Sequence, residues 1–447
     1  MTRALIVSRM FGCLLGAAAV IGFSWQQCTA QVVQQAVGGV AVDVDGVLTA
    51  PTTEDAEVLR ALRRTAIGQA PTDLQTWTDL RAVSLKQLEA KIADCAAKGD
   101  DLPEDVRYLA GLQRVQYVFV YPEHNDVVIA GPAEGWDMDE LGNVVGATSR
   151  RPVLLLDDLI VALRTREASR MEAISCSIDP TAEGVVRLRA AMRRVKRMGN
   201  PASIKANYEQ ALGPQTVSVT GVPATSHFAR TMVAADFRMK RLAMNFEPAP
   251  IGDMPSFLHL MKANSRGTKN MMPRWWLAPN YEPMSRDAEG LAWELRGPGV
   301  QCMTEEDHFG ADGKRVASKK AGSAAQRWAK NLTDRYGELA QHDSAFGMLR
   351  NAMDLAVVAA LLEKEGLLTL AGLELPQLTQ QAPIAVYHAP TQVDSKVSFV
   401  KQGRNWIVSA SGGVQFLPWL VADQVEQNDD LSAVRDQFST TGERWYW

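Results

Sequence analysis

The spacing of apolar and polar positions changes several times along this chain, and each change predicts a different secondary-structure element. Residues 38–50 alternate apolar and polar side chains around Asp45-Gly46, a pattern typical of a β-hairpin. Residues 84–97 begin with the serine and glutamine of a capping box, and Gly99 follows as a helix-ending glycine. Residues 115–130 contain two β-forming runs around a short polar turn, which predicts another hairpin.

The middle of the chain is predicted to be mostly helical, and the last part returns to strands. Helical spacing covers residues 181–198, 202–212 and 226–244, with a short strand at residues 216–220. A longer helix is predicted at residues 345–365, and its apolar run is too short to cross a membrane, so it fits a buried core helix. Short β-forming runs then follow at residues 384–387, 396–400 and 405–409.

Strands and helices alternate in the first part of the chain and then segregate, which favours an α+β protein over a doubly wound sheet. We therefore predict several β-hairpins and small sheets packed with a largely helical middle region. The predicted division is a signal peptide at residues 1–30, an N-terminal α/β region at 31–180, a mainly helical region with an Arg-Trp-Trp segment at 181–285, and a C-terminal α+β region at 286–447.

The first thirty residues have the pattern of a secretory signal peptide. Arg3 and Arg9 give a positive start, residues 10–23 form a short apolar stretch, and small residues precede a cleavage site after Ala30. We predict export to the periplasm or exterior, with no transmembrane segment after cleavage. Loss of the two arginines leaves 45 of the 47 basic residues against 51 acidic ones, a net charge of −6. This balance does not favour nucleic-acid binding.

Three cysteines remain after the predicted cleavage: Cys95, Cys176 and Cys302. Their odd number allows at most one disulfide within the chain, and one thiol must stay free or pair with another chain. The sequence does not say whether any pair forms. A hydrophobic core, and not a disulfide framework, must therefore stabilise this protein.

One short motif raises the question of catalysis. Residues 40–49, VAVDVDGVLT, resemble the first motif of the haloacid-dehalogenase phosphatases. The resemblance implies that Asp43 is a nucleophile toward phosphorus, that Asp45 donates and accepts protons, and that Mg²⁺ neutralises their charge. Asp157-Asp158 could supply the acidic pair of that family, and Lys98 is the nearest candidate for its lysine. No strand between them offers the Ser/Thr motif.

The hairpin interpretation of this stretch requires no further motifs elsewhere in the chain. Asp-Gly between alternating apolar residues is a strong hairpin signal, whereas a nucleophile strand is normally an uninterrupted apolar run that enters a crossover helix. Asp43 and Thr49 interrupt both runs at positions of the polar face. We therefore favour the hairpin and keep the metal-dependent phosphatase as the alternative.

Other polar motifs are weaker. Glu123-His-Asn-Asp126 and Glu305-Glu-Asp-His308 bring metal-ligand types together in predicted solvated turns, without the spacing of a metal site. Gly313-Lys314 is followed by Arg315, where a phosphate-binding loop needs a hydroxyl. No cofactor is predicted, and catalytic and metal-binding residues remain unknown.

Two further segments carry candidate recognition residues. The helix after Ser226 has a dense polar face, which we interpret as solvated with an Asp236–Lys240 ion pair; the alternative is an anion-recognising surface. Its members are His227, Arg230, Asp236, Arg238 and Lys240. Trp275 and Trp276 point to opposite faces if the segment is extended, so one is predicted to be buried and the other exposed or at an interface with a protein or glycan.

Several long blocks, in order, resemble an exported planctomycete family of unknown function, domain-of-unknown-function family 1598. The similar blocks are residues 110–136, 151–164, 175–184, 221–244 and 273–279. The resemblance implies no activity and no phosphatase motif set. We predict an exported protein of unknown function, a non-catalytic binding or structural protein of the cell envelope or exterior. The alternatives are the phosphatase built on Asp43 and Asp45, and a partner-binding protein that uses a tryptophan.

Overall fold

The computed structural model describes residues 37–50, 67–194, 200–263, 272–309, 315–317, 323–402, 404–438 and 444–447. The predicted signal peptide and Gly313-Lys314 lie outside these ranges. Helices make up about 41% and strands about 24% of the structure, and the predicted α+β class is confirmed. The division into three regions after the signal peptide stays a prediction, and the largest sheet takes strands from each of them.

The largest sheet has nine strands, and most neighbouring pairs in it are antiparallel. The strands at its two ends are short, whereas the longer central strands contribute buried side chains to the core. In spatial order the strands are β1 (Ala41–Val42), β2 (Val47–Thr49), β15 (Gln392–Val393), β9 (Gln215–Thr220), β8 (Ile174–Pro180), β18 (Ser411–Phe416), β10 (Met272–Asn280), β13 (Gly299–Phe309) and β14 (Arg315–Ala317).

A second sheet has six strands, and the chain end at Trp445–Trp447 lies along its edge strand β3. In spatial order they are β19 (Val425–Gln427), β11 (Met284–Arg286), β12 (Ala292–Glu294), β4 (Tyr117–Tyr121), β5 (Asp126–Ala133) and β3 (Thr78–Ser84). Two separate hairpins complete the described strands: β6 (Trp136–Met138) with β7 (Val144–Gly146), and β16 (Ser398–Gln402) with β17 (Arg404–Val408).

Helices connect the two sheets and bury their apolar faces. In chain order the described helices are α1 (Leu85–Lys98), α2 (Glu104–Arg107), α3 (Leu156–Thr165), α4 (Ala182–Arg194), α5 (Pro201–Leu212), α6 (His227–Ala243), α7 (Phe257–Ala263), α8 (Ser323–Asp334), α9 (Tyr336–His342), α10 (Ser344–Lys364), α11 (Leu367–Ala371), α12 (Pro418–Ala422) and α13 (Leu431–Arg435). Ser84 caps α1 by accepting a hydrogen bond from the Gln87 N–H, and Gly99 ends it with φ 72°, as the capping pattern predicts.

Helix α10 is the centre of the core. It packs against α3, α6, α9 and α12, and its residues from Ser344 to Leu362 are all buried. Within the described residues α10 is the one helix long and apolar enough to cross a membrane, but its apolar window lies entirely inside the protein. The predicted buried core helix is therefore confirmed.

One predicted strand is wrong. Residues 384–387 form no strand, because their amides bind partners outside any sheet: the Ala385 N–H donates to Asp157 Oδ2 (3.1 Å) and the Tyr387 N–H to the Thr225 carbonyl (2.8 Å). These bonds hold the segment across the start of α6, where it borders the groove described below.

Candidate ligand-binding groove

The stretch that resembles a phosphatase motif forms a hairpin. β1 and β2 are antiparallel, with Val42 opposite Leu48. The turn runs from Asp43 to Gly46, whose N–H donates to the Asp43 carbonyl (3.1 Å) and whose φ is 80°. The Asp43 N–H also donates to the Val47 carbonyl (3.1 Å), so three residues, 44–46, lie between this pair and the last of them is a left-handed glycine. The loop is therefore one residue longer than a simple Asp-Gly turn. Asp43 Oδ1 accepts the N–H groups of Asp45 and Val47, both at 2.9 Å, so this carboxylate stabilises the turn.

This geometry differs from the one that the phosphatase alternative requires. β1 is an edge strand with an antiparallel neighbour, not an interior strand of a parallel sheet. Asp158 binds His227, and Asp157 accepts a backbone N–H. Neither carboxylate shares a hydrogen-bond partner with Asp43 among the contacts of the described residues. Among the residues that the structure describes, no group of three or more His, Cys, Asp or Glu side chains could hold a metal ion.

The most distinctive polar contact in the described chain joins the starts of two helices. Asp158 lies in the first turn of α3, and His227 is the first residue of α6, directly after its N-cap Ser226. The Nδ1–H of His227 donates to both oxygens of Asp158, at 3.1 and 2.9 Å. His227 is 6% exposed and Asp158 is 4% exposed, so this is a buried pair. His227 also lines the groove described below.

Burial and the neighbouring carboxylate have opposite effects on the pKa of His227. Burial disfavours a charged imidazole, but the adjacent Asp158 outweighs it, so the pKa of His227 is raised above its usual value. Burial also raises the pKa of Asp157, although the N–H of Ala385 favours its ionised form. Both His227 and Asp157 line the groove described next.

A groove of about 680 Å³ opens over His227, and we call it the His227 groove. Its wall carries more acidic than basic side chains: Asp100, Asp101, Glu104 and Asp157 against Arg107. Two tyrosines, Tyr108 and Tyr387, add aromatic surface, and the ring of Tyr387 stands edge-on to His227 at 6.0 Å. The groove thus combines carboxylates, aromatic rings and an oriented imidazole, which are typical of a site for a polar or cationic ligand.

The polar face predicted on α6 is buried, so its interpretation as a solvated face is wrong. α6 packs against β8 and β18 on one side and against α10 on another, which leaves little of it in water. The predicted Asp236–Lys240 pair does form, at 2.8 Å. Lys240 Nζ also donates to the carbonyls of Ile178 and Gly412. Burial raises the pKa of Asp236 to about 6, although Lys240 opposes this shift.

The acidic motifs have structural roles or lie on strands. Asp126 is buried and accepts hydrogen bonds from the Ser84 hydroxyl (2.6 Å) and the Lys86 N–H (3.1 Å), so it supports the start of α1. Residues 305–308 lie within β13 and pair with β10, so the predicted turn there is wrong. Hydrogen bonding along the β10–β13 ladder explains why this acidic run is extended.

The two adjacent tryptophans lie on opposite faces of β10, as predicted. Trp275 is completely buried and packs its ring 4.7 Å from that of Trp328 and 4.9 Å from that of Phe257. Trp276 is half-buried on the other face, in register with Met303, which is 42% exposed. Burial removes Trp275 as a partner-binding residue and leaves Trp276 as the candidate.

All three described cysteines are free and buried. Burial raises the pKa of the Cys176 and Cys302 thiols, which disfavours their reactive thiolate forms. The sequence left open whether any two of these cysteines pair, and the structure shows three separate thiols.

Residues 176–257 match the model of a family described as Protein of unknown function (DUF1598). The match begins in β8 and ends at the start of α7, and it contains His227, Asp236 and Lys240 but not Asp158. A comparison with curated proteins finds no match. A comparison with solved structures finds none either. The matched segment supports the resemblance to a domain of unknown function, whereas planctomycete origin and export stay predictions.

Sequence reasoning did not single out the tyrosines and most of the carboxylates of the His227 groove. Glu104 and Tyr108 lie near α2, whereas Tyr387 lies almost three hundred residues later, in a run predicted to be a strand. The adjacent carboxylates Asp157-Asp158 were the available signal, because one of them is buried despite its charge and so needs a partner.

Proposed function

We propose that this chain is an exported protein of the cell envelope or exterior that binds a ligand in the His227 groove without changing it chemically. The observation that carries the proposal is the groove itself, a concavity of about 680 Å³ with several carboxylates, two tyrosines and one oriented imidazole. This volume lies in the range of small-molecule sites, about 300–1,000 Å³.

The chemistry of the wall favours a ligand that carries positive charge and a flat face. Asp100 and Asp101 are exposed, and Glu104 and Asp157 are half-exposed, so an amine can approach them without being fully desolvated. Tyrosine rings stack on sugar rings and attract cations. An oligosaccharide of amino sugars satisfies both demands and is the ligand class that we propose.

Non-catalytic binding is favoured over hydrolysis by the way the imidazole is held. His227 has a carboxylate partner on Nδ1, and the hydroxyl of Thr231 lies 3.4 Å from that same nitrogen and not at Nε2. The Ser226 hydroxyl is used within its own turn: Oγ donates to the Pro223 carbonyl (2.7 Å) and accepts the Ala229 N–H (3.1 Å). An acyl-transfer site would need a hydroxyl or thiol within hydrogen-bond reach of Nε2. The imidazole is therefore assigned to ligand orientation.

Export is supported by the sequence of residues 1–30, which has a positive start, an apolar stretch and a small-residue cleavage site. The test is expression of the full chain in a bacterial host, followed by fractionation and N-terminal sequencing. We expect the mature protein outside the cytoplasm with Gln31 as its first residue. Retention of Met1 on protein that stays in the cytoplasm would contradict export.

Calorimetric titration of the mature protein with glucosamine tetramers tests the ligand class. The fully N-acetylated tetramer is the neutral control, and a lysine tripeptide tests whether charge alone suffices. We expect the double variant D100N/D101N to weaken binding of the charged tetramer roughly tenfold, since exposed charges contribute up to about 1 kcal/mol each. Asp94→Asn is the matched control, because Asp94 is exposed on α1 outside the groove wall.

Three outcomes count against the amino-sugar proposal. Equal binding of the N-acetylated tetramer would show that the groove does not recognise the positive charge of the ligand. Tighter binding of the lysine peptide would identify a peptide site. The same loss of affinity in Asp94→Asn as in D100N/D101N would place the effect outside the groove.

A further inference from the structure

The central helix α10 carries an arginine and an aspartate one turn apart in the core. Arg350 is 8% exposed and Asp354 is completely buried. A buried arginine normally has a carboxylate partner with matched hydrogen bonds, because an unpaired charge in the interior is costly. Asp354 is the nearest candidate for that role, four residues further along the helix.

Asp354 is already occupied by another arginine. The Nε–H and Nη2–H groups of Arg114 donate to its two oxygens, at 3.1 and 3.2 Å. The hydroxyl of Tyr281 donates to Oδ1 at 2.8 Å. Three donors therefore satisfy this carboxylate, and its charge is matched by Arg114.

The side chain of Arg350 forms no ion pair with a described carboxylate, and its buried Nε has no hydrogen-bond acceptor among the described residues. Its stem packs on Gly299, where a methyl group would come within 2.8 Å of Cγ, so the guanidinium is held in place. Burial, reinforced by Arg114 and Arg151, lowers its pKa to about 10, which still leaves it charged at neutral pH.

Arg151 brings a further positive charge to this helix, because the Nδ2–H of Asn351 in α10 donates to the carbonyl of the next residue along the chain, Pro152, at 2.9 Å. Arg151 is half-buried, and its charge helps to lower the pKa of Arg350. Among the described residues, Asp354 is the carboxylate that pairs with Arg114 and that lies one turn from Arg350 on the same helix. Guanidinium groups bind oxyanions through paired N–H donors, which suits this arrangement.

We propose that Arg350 and Arg151 bind a small oxyanion of the phosphate class beside α10. The 8% of Arg350 that stays exposed gives such an ion access from solvent. The site is separate from the His227 groove, whose lining does not include either arginine. An anion here supplies the negatively charged partner that Arg350 lacks among the described residues and joins α10 to the segment around Arg151.

Thermal unfolding of the mature protein in inorganic phosphate tests this site. Tm is measured against phosphate concentration at constant ionic strength in sodium chloride, with sodium acetate as a parallel series. We expect Tm to rise with the logarithm of phosphate concentration once that concentration exceeds Kd, as a ligand of the folded state gives. Arg350→Met should abolish this phosphate-specific rise, and Arg151→Gln should raise the apparent Kd at least tenfold.

Arg444→Gln is the matched control, because Arg444 is exposed at the chain end and belongs to a different ion pair. It should respond to phosphate as the wild type does. Equal rises in Tm in all four proteins would assign the effect to general salt stabilisation and overturn the proposal. No phosphate-specific rise in the Tm of the wild type, or a rise with acetate but not with phosphate, would also overturn it. Arg151→Gln keeps the test informative if Arg350→Met does not fold.

Discussion

Nδ1 of His227 lies 2.9 Å from Oδ2 of Asp158, and both side chains are almost completely buried. The contact joins the first turns of α3 and α6, two helices that are also held together by their packing on α10. Positive helix ends favour the carboxylate, and the carboxylate in turn favours a protonated imidazole. One contact thus fixes the base of the His227 groove and makes it sensitive to pH.

This pair predicts a pH-dependent contribution to stability. The folded-state pKa of His227 is raised, so its contribution is complete below the unfolded value of about 6.5 and is lost as pH rises through the raised value. Urea unfolding from pH 5.5 to 9 should show His227→Ala about 3 kcal/mol less stable at the acidic end, since it leaves a buried carboxylate unpaired. The difference should shrink toward pH 9.

His342→Gln is the control for that series. His342 is exposed on α9 and binds only the Glu338 carbonyl, so its stability difference from the wild type should stay small at every pH. A His227→Ala difference that is constant across the range would contradict a charged imidazole in the folded protein.

A second prediction concerns the close contact between β18 and β10. A methyl group on Gly412 would lie 1.6 Å from the carbonyl oxygen of Trp275, so only glycine fits this position. Gly412→Ala should therefore destabilise the protein by more than about 4 kcal/mol, or prevent folding. Gly337→Ala is the control, because Gly337 lies on α9 with no atom within 4 Å of the added methyl.

Gly337→Ala should raise stability slightly, by up to about 1 kcal/mol, because alanine favours the helix. Differential scanning calorimetry of both variants provides the comparison. A folded Gly412→Ala protein with wild-type Tm would show that β18 and β10 do not approach as closely as described.

A third prediction distinguishes a turn-stabilising role of Asp43 from a catalytic role. Asp43→Asn keeps the oxygen that accepts the N–H groups of Asp45 and Val47, whereas Asp43→Ala removes it. We expect Asp43→Ala to lose about 1 kcal/mol of stability and Asp43→Asn to lose almost none. Hydrolysis of p-nitrophenyl phosphate with Mg²⁺ should be the same in both variants and in the wild type. Activity that is present in the wild type and absent from Asp43→Asn would restore the catalytic interpretation.

The hairpin around Asp43 was predictable from sequence because every contact that defines it is local. The Asp-Gly signal and the flanking strands that pair Val42 with Leu48 lie within ten residues of one another. A short window of sequence therefore contains the whole motif. The same reason accounts for the successful prediction of α1, whose caps lie at its own ends. The turn length was harder to predict, since Asp43 forms side-chain bonds that the spacing alone does not specify.

The groove and the core of α6 could not be predicted in this way. A polar helix face normally indicates solvent, but Lys240 binds the Gly412 carbonyl, and His227 binds Asp158, both far away in sequence. The sequence also gives no pairing rule for residues 384–387, whose β-forming composition is overridden by hydrogen bonds to Asp157 and Thr225. Long-range partners decide all three cases.

A fourth prediction contrasts the adjacent tryptophans. Trp275 fills the space between Phe257 and Trp328, so Trp275→Ala should cost about 3–5 kcal/mol in the free energy of unfolding. Trp276 is only half-buried on the opposite face, so Trp276→Ala should cost less than half as much. Urea unfolding of the two variants measures the difference. Equal losses would mean that the outer face of β10 is covered as tightly as the inner one.

The last prediction uses the cysteines to test both the core and the predicted cleavage. Cys95, Cys176 and Cys302 are free and buried, so the native protein should react slowly with a thiol reagent such as 5,5′-dithiobis(2-nitrobenzoate). In guanidinium chloride without reductant, protein cleaved after Ala30 should release three equivalents of the chromophore at once, because two of the five cysteines precede that site. Five equivalents would indicate an uncleaved chain, and a single equivalent would reveal a disulfide between two of the three. Fast labelling of the native protein would instead show that at least one of these thiols is accessible, which would contradict its burial.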